Sequence, residues 1–265
     1  MTADAKPADN SAAPRFFALV PCAGTGSRAG GDGPKQYARL AGQALVGHTL
    51  AALKAVPCMT ATLVVLSPGD KQFERQVPEH TGPQAWLAWV GGVSRARTVQ
   101  NGLTELQRRG ALAQDWVLVH DAARCLLRAD WVLRLINACR DDAVGGLLAL
   151  PLADTLKQAD GGRVLATVDR SGKWAAQTPQ MFRLGLLQAA LQAAGAQVTD
   201  EASAVEASGL RPLLVPGEAE NFKVTYPGDF ALAERLLRTA PRPGGPMRHE
   251  DSPAKPAKPA TEDQR

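Results

Sequence analysis

Short apolar runs alternate with amphipathic segments through most of the chain, and no other feature restricts its fold so strongly. The runs are FFALVP (Phe16–Pro21), ATLVVLS (61–67), AWLAWV (85–90), WVLVHD (116–121) and GGLLALPL (145–152). They are nearly continuous rather than strictly alternating, so both faces need cover, as in strands of a parallel sheet. Between them, amphipathic segments predict helices over 48–55, 94–109, 130–139, 184–194, 199–207 and 227–238. Strand and helix in repeated succession predict an α/β fold, with a mostly parallel sheet and helices on both faces.

One region breaks this rhythm. Residues 154–180 carry short alternating runs around two glycine turns, ADGGR and RSGKW, and read as an antiparallel β-arm. A lone two-stranded arm cannot bury both faces. It packs either on a second copy of the chain, in a homodimer, or as a surface hairpin on its own sheet.

Composition sets the limits of the domain. The chain has 265 residues, of which 45% are hydrophobic and 21% charged, enough for one well-buried core over 16–239. Residues 1–15 and 240–265 are rich in Ala, Asp, Pro and Lys without an apolar pattern, and are expected to be disordered. The net charge of +4 comes from basic residues scattered among acids, with no basic stripe interleaved with aromatics, which argues against nucleic acid as a partner. Cys22, Cys58, Cys125 and Cys139 form no C-x-x-C pair, which suits a reducing compartment and argues against a zinc site. The first residues hold no signal-like apolar core, and the longest apolar stretch, 143–153, is too short for a bilayer. A cytoplasmic protein with no membrane partner is the expectation.

The chemistry gathers around a few loops. VPCAGTGSRAGGDGPKQY (20–37) follows the first strand, at the end of the sheet where α/β proteins bind ligands. Its glycines let backbone N–H groups approach an anion. The spacing after Gly24 and Gly26 breaks the dinucleotide fingerprint, and Lys35 lies between Pro34 and Gln36 rather than in a G-K-[S/T] phosphate loop. Arg28 and Lys35 flank the glycines, as would suit a polyphosphate whose charge grows during reaction. Glycine content alone favours a solvated loop with incidental cations.

The other candidates also have two readings. In HDAAR, Asp121 can help hold a hard dication among phosphates or can cap the segment after it, and Arg124 can pair with a phosphate. Arg170 is either functional or an exposed hairpin charge, and Lys223 is functional or an edge-strand charge. In TDEAS, Thr199 reads as a helix cap, with Asp200 and Glu201 favoured by the helix dipole.

Taken together, the motifs carry a resemblance. The loop at 20–37 resembles the triphosphate loop of sugar-phosphate nucleotidyltransferases, A-A-G-x-G-x-R…P-K-Q-Y. GGVSRARTVQNGL, VLVHDAAR, LPLADTLK, TVDRSGKWAAQTPQMF, TDEASAVEASG and NFKVTYPGDFALAE follow in order and narrow it to the 2-C-methyl-D-erythritol 4-phosphate cytidylyltransferase family. The resemblance implies a Rossmann-like fold whose protruding arm dimerises, and transfer of a cytidylyl group from CTP to methylerythritol phosphate with Mg2+. It implies that Cys22, Ala23, Gly24, Gly26 and Ala122 line the nucleotide, and that Gly92 and Thr98 read the pyrimidine and ribose. Asp121 would meet both nucleotide and metal, and Arg28 and Lys35 would neutralise the reacting phosphates. Arg124, Thr155 and Thr199 would line the acceptor site, with Arg170 and Lys223 positioning the attacking phosphate across a dimer interface. Two positions depart from the family pattern: Val93 stands where an acid is usual, and Cys22 where alanine is usual. A ribitol-5-phosphate cytidylyltransferase shares much of the pattern. A nucleotide-binding regulatory subunit without turnover fits less well, because Arg28, Lys35, Asp121, Arg170 and Lys223 are all present.

Overall fold

The apolar runs do form strands of one sheet. The computed structural model describes residues 13–24, 33–195 and 198–239. From the N-terminus come β1 (Phe16–Pro21), a 3-10 turn (Lys35–Tyr37), the short pair β2 (Arg39–Leu40) and β3 (Gln43–Ala44), α1 (Leu45–Lys54), β4 (Met59–Val65), α2 (Phe73–Gln76), β5 (Ala85–Ala88), α3 (Arg95–Arg108) and β6 (Trp116–Val119). Then follow α4 (Ala129–Cys139), β7 (Gly145–Pro151), β8 (Leu156–Asp160), β9 (Arg163–Val168), β10 (Trp174–Arg183), α5 (Leu184–Ala194), α6 (Glu201–Ala207), β11 (Leu213–Pro216) and α7 (Pro227–Thr239).

Seven strands make the central sheet in the order β11-β7-β10-β6-β1-β4-β5. β10 runs antiparallel to both neighbours, and every other pairing is parallel. Successive residues of each strand enter opposite cores. Ala18 and Val20 of β1, with Trp116 and Leu118 of β6, face α1 and α4. Phe17 and Leu19, with Val117 and Val119, face α3, α5 and α6. Covering both faces is what lets these strands be apolar throughout. Helix α3 seats closely because of Gly102: a Cβ there would stand 2.8 Å from both Leu19 Cδ1 and Val65 Cγ2. No helix among the described residues is long and apolar enough to cross a membrane.

Three readings of the sequence need correction. The segment 154–180 is not one arm. Only the β8–β9 hairpin stands apart as a separate two-stranded sheet, while β10 threads the central sheet and buries Gln177, Thr178 and Gln180. Their polar side chains disguised a core strand. The domain also begins before residue 16. Arg15 donates from its backbone N–H (2.9 Å) and guanidinium (2.6 Å) to the buried Asp115 carboxylate, and its carbonyl accepts from Trp116 N–H. Finally, α6 is capped by Asp200 in a reciprocal capping box with Ser203, and Thr199 lies outside the cap. Residues 1–12 and the whole of 240–265 lie outside the described residues.

Candidate active site

The strand order locates the site. The chain steps outward from β1 to β4 and β5, then returns to lay β6 on the other side of β1, so the order reverses between β1 and β6. Register brings Leu19 beside Val119 and Pro21 beside Val65. The loops beginning at Cys22, Leu66 and His120 therefore leave the sheet together at its carboxyl edge, where a crevice opens. A cleft of about 450 Å³ lies there, lined by Cys22, Ala23, Gly24, Lys35, Gly92, Thr98, Asp121, Ala122 and Lys223, with others.

The floor of the cleft is braced by hydrogen bonds. Gln36 donates to the Cys22 carbonyl (3.2 Å), and Ser67 Oγ donates to the Ala23 carbonyl (2.9 Å). Gly91 N–H donates to the Leu66 carbonyl, and a Cβ at Gly91 would stand 2.7 Å from that oxygen and collide with the Ala23 Cβ. Glycine is thus required for the 91–94 loop to press against the loop after β1. Thr98, buried on α3, accepts from Gly92 N–H (3.0 Å) and donates to the Ser94 carbonyl (2.9 Å). Both bonds shape the loop, and one lone pair of the hydroxyl remains. Burial, then the Asp70 charge, raises the Cys22 thiol far above its ordinary range, which makes it a packing residue rather than a nucleophile.

Asp121 is the centre of the charge arrangement. It does not cap a helix: α4 begins eight residues on, after an N-cap at Arg128. Its Oδ1 accepts from Arg95 Nε (2.9 Å), and its Oδ2 lies 2.9 Å from Lys223 Nζ and 3.8 Å from Arg124 Nε. Burial alone would raise this carboxyl. Arg95 first, then Lys223, outweigh burial and hold it well below the carboxylate range. Lys35 Nζ donates to the carbonyl of Val224, next to Lys223, so the lysine of the 3-10 turn reaches the segment that carries the other.

A smaller cavity of about 190 Å³ adjoins this cluster and shares Arg95, Asp121 and Lys223 with the main cleft. Arg124, Thr178, Gln180, Thr199 and Asp200 complete much of its wall. Four basic side chains, Lys35, Arg95, Arg124 and Lys223, thus face two acidic ones, Asp121 and Asp200, among the described lining residues. That excess suits anionic ligands. Thr178 Oγ1 accepts from the Asp121 N–H (3.1 Å) and lies 3.0 Å from Nδ1 of the wholly buried His120, whose Nε2 is 3.2 Å from the Arg124 carbonyl. Burial pulls His120 down to about 4. One arrangement satisfies every group: Thr178 O–H donates to Nδ1, and Nε2–H donates to the carbonyl.

The candidates from the sequence thus divide. Cys22, Ala23, Gly24, Lys35, Gly92, Thr98, Asp121, Ala122 and Lys223 meet in the main cleft, and Arg124 and Thr199 meet Asp121 and Lys223 in its neighbour. Gly26 and Arg28 lie outside the described residues. Thr155 and Arg170 are exposed, at the base of the hairpin and in the turn between β9 and β10, and neither lines the two cavities. Sequence reasoning missed Arg95, Thr178 and Gln180. For Arg95 a signal existed: a cation directly after the Ser94 cap opposes the helix dipole and so needs a partner elsewhere.

A doubly covered sheet with a basic cleft at its switch point, beside a second polar cavity that shares Arg95, Asp121 and Lys223, is a Rossmann-like frame suited to bringing two anionic ligands together. Comparison with known proteins narrows this further. The family model for 2-C-methyl-D-erythritol 4-phosphate cytidylyltransferase matches residues 16–239, and the chain belongs to that family. It is 61% identical over 226 residues to the bifunctional enzyme IspD/IspF of Albidiferax ferrireducens, covering 85% of this chain and 54% of that enzyme. It is 51% identical over 253 residues to a 2-C-methyl-D-erythritol 4-phosphate cytidylyltransferase of Cupriavidus pinatubonensis, covering 91% of this chain and 99% of the relative. A crystal structure of a 4-diphosphocytidyl-2C-methyl-D-erythritol synthase superposes with a TM-score of 0.76 at 43% identity, covering 86% of this chain and all of the other.

Proposed function

We propose that the chain transfers the cytidylyl group of CTP to 2-C-methyl-D-erythritol 4-phosphate, giving 4-CDP-2-C-methyl-D-erythritol and pyrophosphate for non-mevalonate isoprenoid synthesis. One observation carries this reading within the family: two anion-suited cavities meet at Asp121, Arg95 and Lys223, so a nucleotide and an acceptor phosphate would converge there.

In this reading an acceptor phosphate oxygen attacks the α-phosphorus, and the bond to the β-phosphate oxygen breaks in line. A phosphate monoester is already an anionic nucleophile, so the chemistry needs positioning and charge stabilisation more than a base. Lys35, with Arg28, neutralises charge growing on the α-phosphate and the departing pyrophosphate. Lys223 and Arg124 orient the attacking phosphate, and Thr199 borders it. Gly92 and Thr98 hold the loop against which the base and ribose lie.

Among the described residues no cluster of three or more His, Cys, Asp or Glu side chains could hold a metal. Asp121 fits a more modest role. Its oxygens contact Arg95 and Lys223 but keep further lone pairs, enough for one place on a dication whose other ligands are triphosphate oxygens and water. Mg2+ held in this way would shield phosphate charge.

The β8–β9 hairpin is taken as a dimer arm. Val164 and Leu165 are exposed on it, at 65% and 63%, which a partner subunit would cover. Thr155 and Arg170 would then serve the partner's acceptor site, since they lie outside their own. A cytoplasmic location accords with these substrates.

The test is pyrophosphate release with Mg2+ and CTP against a panel of polyol phosphates. Turnover is expected with methylerythritol phosphate. Faster turnover with ribitol 5-phosphate would reassign the acceptor, and none with any acceptor would refute the enzyme.

A further inference from the structure

Arg95 joins three loops with one side chain. It opens α3 immediately after the 91–94 loop of the nucleotide cleft. Its Nε donates to Asp121 Oδ1 (2.9 Å), while its two terminal nitrogens form a fork on Glu201, at 2.7 and 3.0 Å. Glu201 is 1% exposed and opens α6, directly after Thr199 and Asp200 of the acceptor cavity. Both of its carboxylate oxygens are engaged by Arg95. Gln180 ties the same helix start to β10 by donating to Asp200 and accepting from Ala202 N–H.

We propose that Arg95 is a positioning residue for cytidylyl transfer, with buried Glu201 as its fixed anchor: the pair sets the orientation of Asp121 and the spacing between nucleotide and acceptor loops. This rests on the function proposed above. Planar fork geometry matters here, because a lysine has one nitrogen and cannot reach both carboxylates in the same arrangement. With Asp121 held by Arg95, its other oxygen is presented to Lys223, and Lys223 in turn is held at the junction of the cavities. Without Arg95, Asp121 and Lys223 can rotate together, and Glu201 is left buried and unpaired.

The experiment separates positioning from mere support of the fold. Arg95→Met should lower both Tm and kcat, with kcat falling on the order of 100-fold, comparable to loss of a fixed donor. Arg95→Met combined with Glu201→Leu removes the unpaired buried charge, so Tm should recover toward wild type. In that double variant kcat should stay low and the KM for methylerythritol phosphate should rise, while the KM for CTP stays within about threefold of wild type. Arg95→Lys, which keeps the charge, should still lose about tenfold in kcat. It decides the matter if the double variant does not fold. Recovery of kcat along with Tm in the double variant, or wild-type kcat in Arg95→Lys, would overturn the proposal. An inactive wild-type enzyme would instead overturn the proposed function.

Discussion

His120 makes stability depend on mild acid in a way that can be worked out. Its ring has no exposed surface, and its two nitrogens face the Thr178 hydroxyl and the Arg124 carbonyl. Burial lowers its pKa from 6.5 to about 4, against the opposing pull of the Asp121 charge. In the unfolded chain the ring titrates near 6.5. Because the folded value is the lower one, the unfolded chain binds a proton between pH 6.5 and 4 that the native state refuses. Stability therefore rises with pH across this window, is complete above about 6.5, and is lost as pH falls toward 4.

In full the difference amounts to about 3 kcal/mol, and at pH 5 about 2 kcal/mol of it is lost relative to pH 7.5. For a domain of this size that is a fall in Tm of roughly 4–8 °C. Burial also lowers His80, which adds to the effect with the same sign. Asp121, held far below its usual value, stays ionised in the folded protein, and in the unfolded chain a carboxyl takes up protons only near pH 4, so it adds little between pH 7.5 and 5. The assay is thermal unfolding at pH 7.5 and 5.0 for the wild type, His120→Gln and His80→Gln. His120→Gln replaces the ring with an amide that does not titrate, so its Tm should fall less on acidification, by most of that amount. An equal fall in wild type and His120→Gln would refute the assignment of the acid sensitivity to this ring.

Other expectations can be checked directly. Lys35→Ala and Arg28→Ala should each lower kcat on the order of 10²–10³, about 3–4 kcal/mol, without unfolding the protein. Steady-state rates within a few-fold of wild type would take either residue off the catalytic list. A chain trimmed to residues 13–239 should keep the Tm and kcat of the full chain, because the removed segments lack a core-forming pattern. Trimming to 16–239 removes Arg15 from buried Asp115 and should cost about 1–2 kcal/mol, discounted for the exposure of Arg15. Equal melting temperatures for the two would show that this pair is idle. Inactive Arg170→Ala subunits mixed with inactive Lys35→Ala subunits should regain activity if the hairpin completes the partner's site. Exchange is verified by tagging one variant, and mixed dimers that stay inactive would return the hairpin to its own subunit.

The fold was legible wherever burial and apolarity coincide. β1, β6 and β7 are apolar on both faces and read directly as parallel strands. β10 was not legible, because its buried stretch contains Gln177, Thr178 and Gln180, which look like loop residues until their hydrogen bonds are seen. Gln177 donates to the Glu218 carbonyl, Thr178 accepts from Asp121 N–H, and Gln180 receives Ala202 N–H. Polar residues can fill a core strand only if each is satisfied, and those partners lie tens of residues away. The boundary at residue 15 failed for a related reason: Arg15 reads as the end of a polar tail, and only the distant Asp115 makes it structural.

The site was legible as a set of loops but not as a circuit. The family resemblance, more than the glycine spacing, pointed to phosphate, and the place of the loop after the first strand pointed to the edge where it would bind. What no linear pattern shows is that Asp121 is shared between Arg95 and Lys223, or that Glu201 lies behind Arg95. Helix-dipole reasoning even misdirected. An acid at the start of α6 and a cation at the start of α3 are one local asset and one local fault, and each looks like a matter for its own helix. Brought together, the fault becomes intelligible. The Arg95 guanidinium is placed where its own helix dipole disfavours it because two carboxylates from other elements hold it there, outweighing burial and keeping its proton bound more tightly than usual. A residue that breaks a local rule is held by a long-range contact, and here that contact joins the main cleft to the smaller cavity beside it.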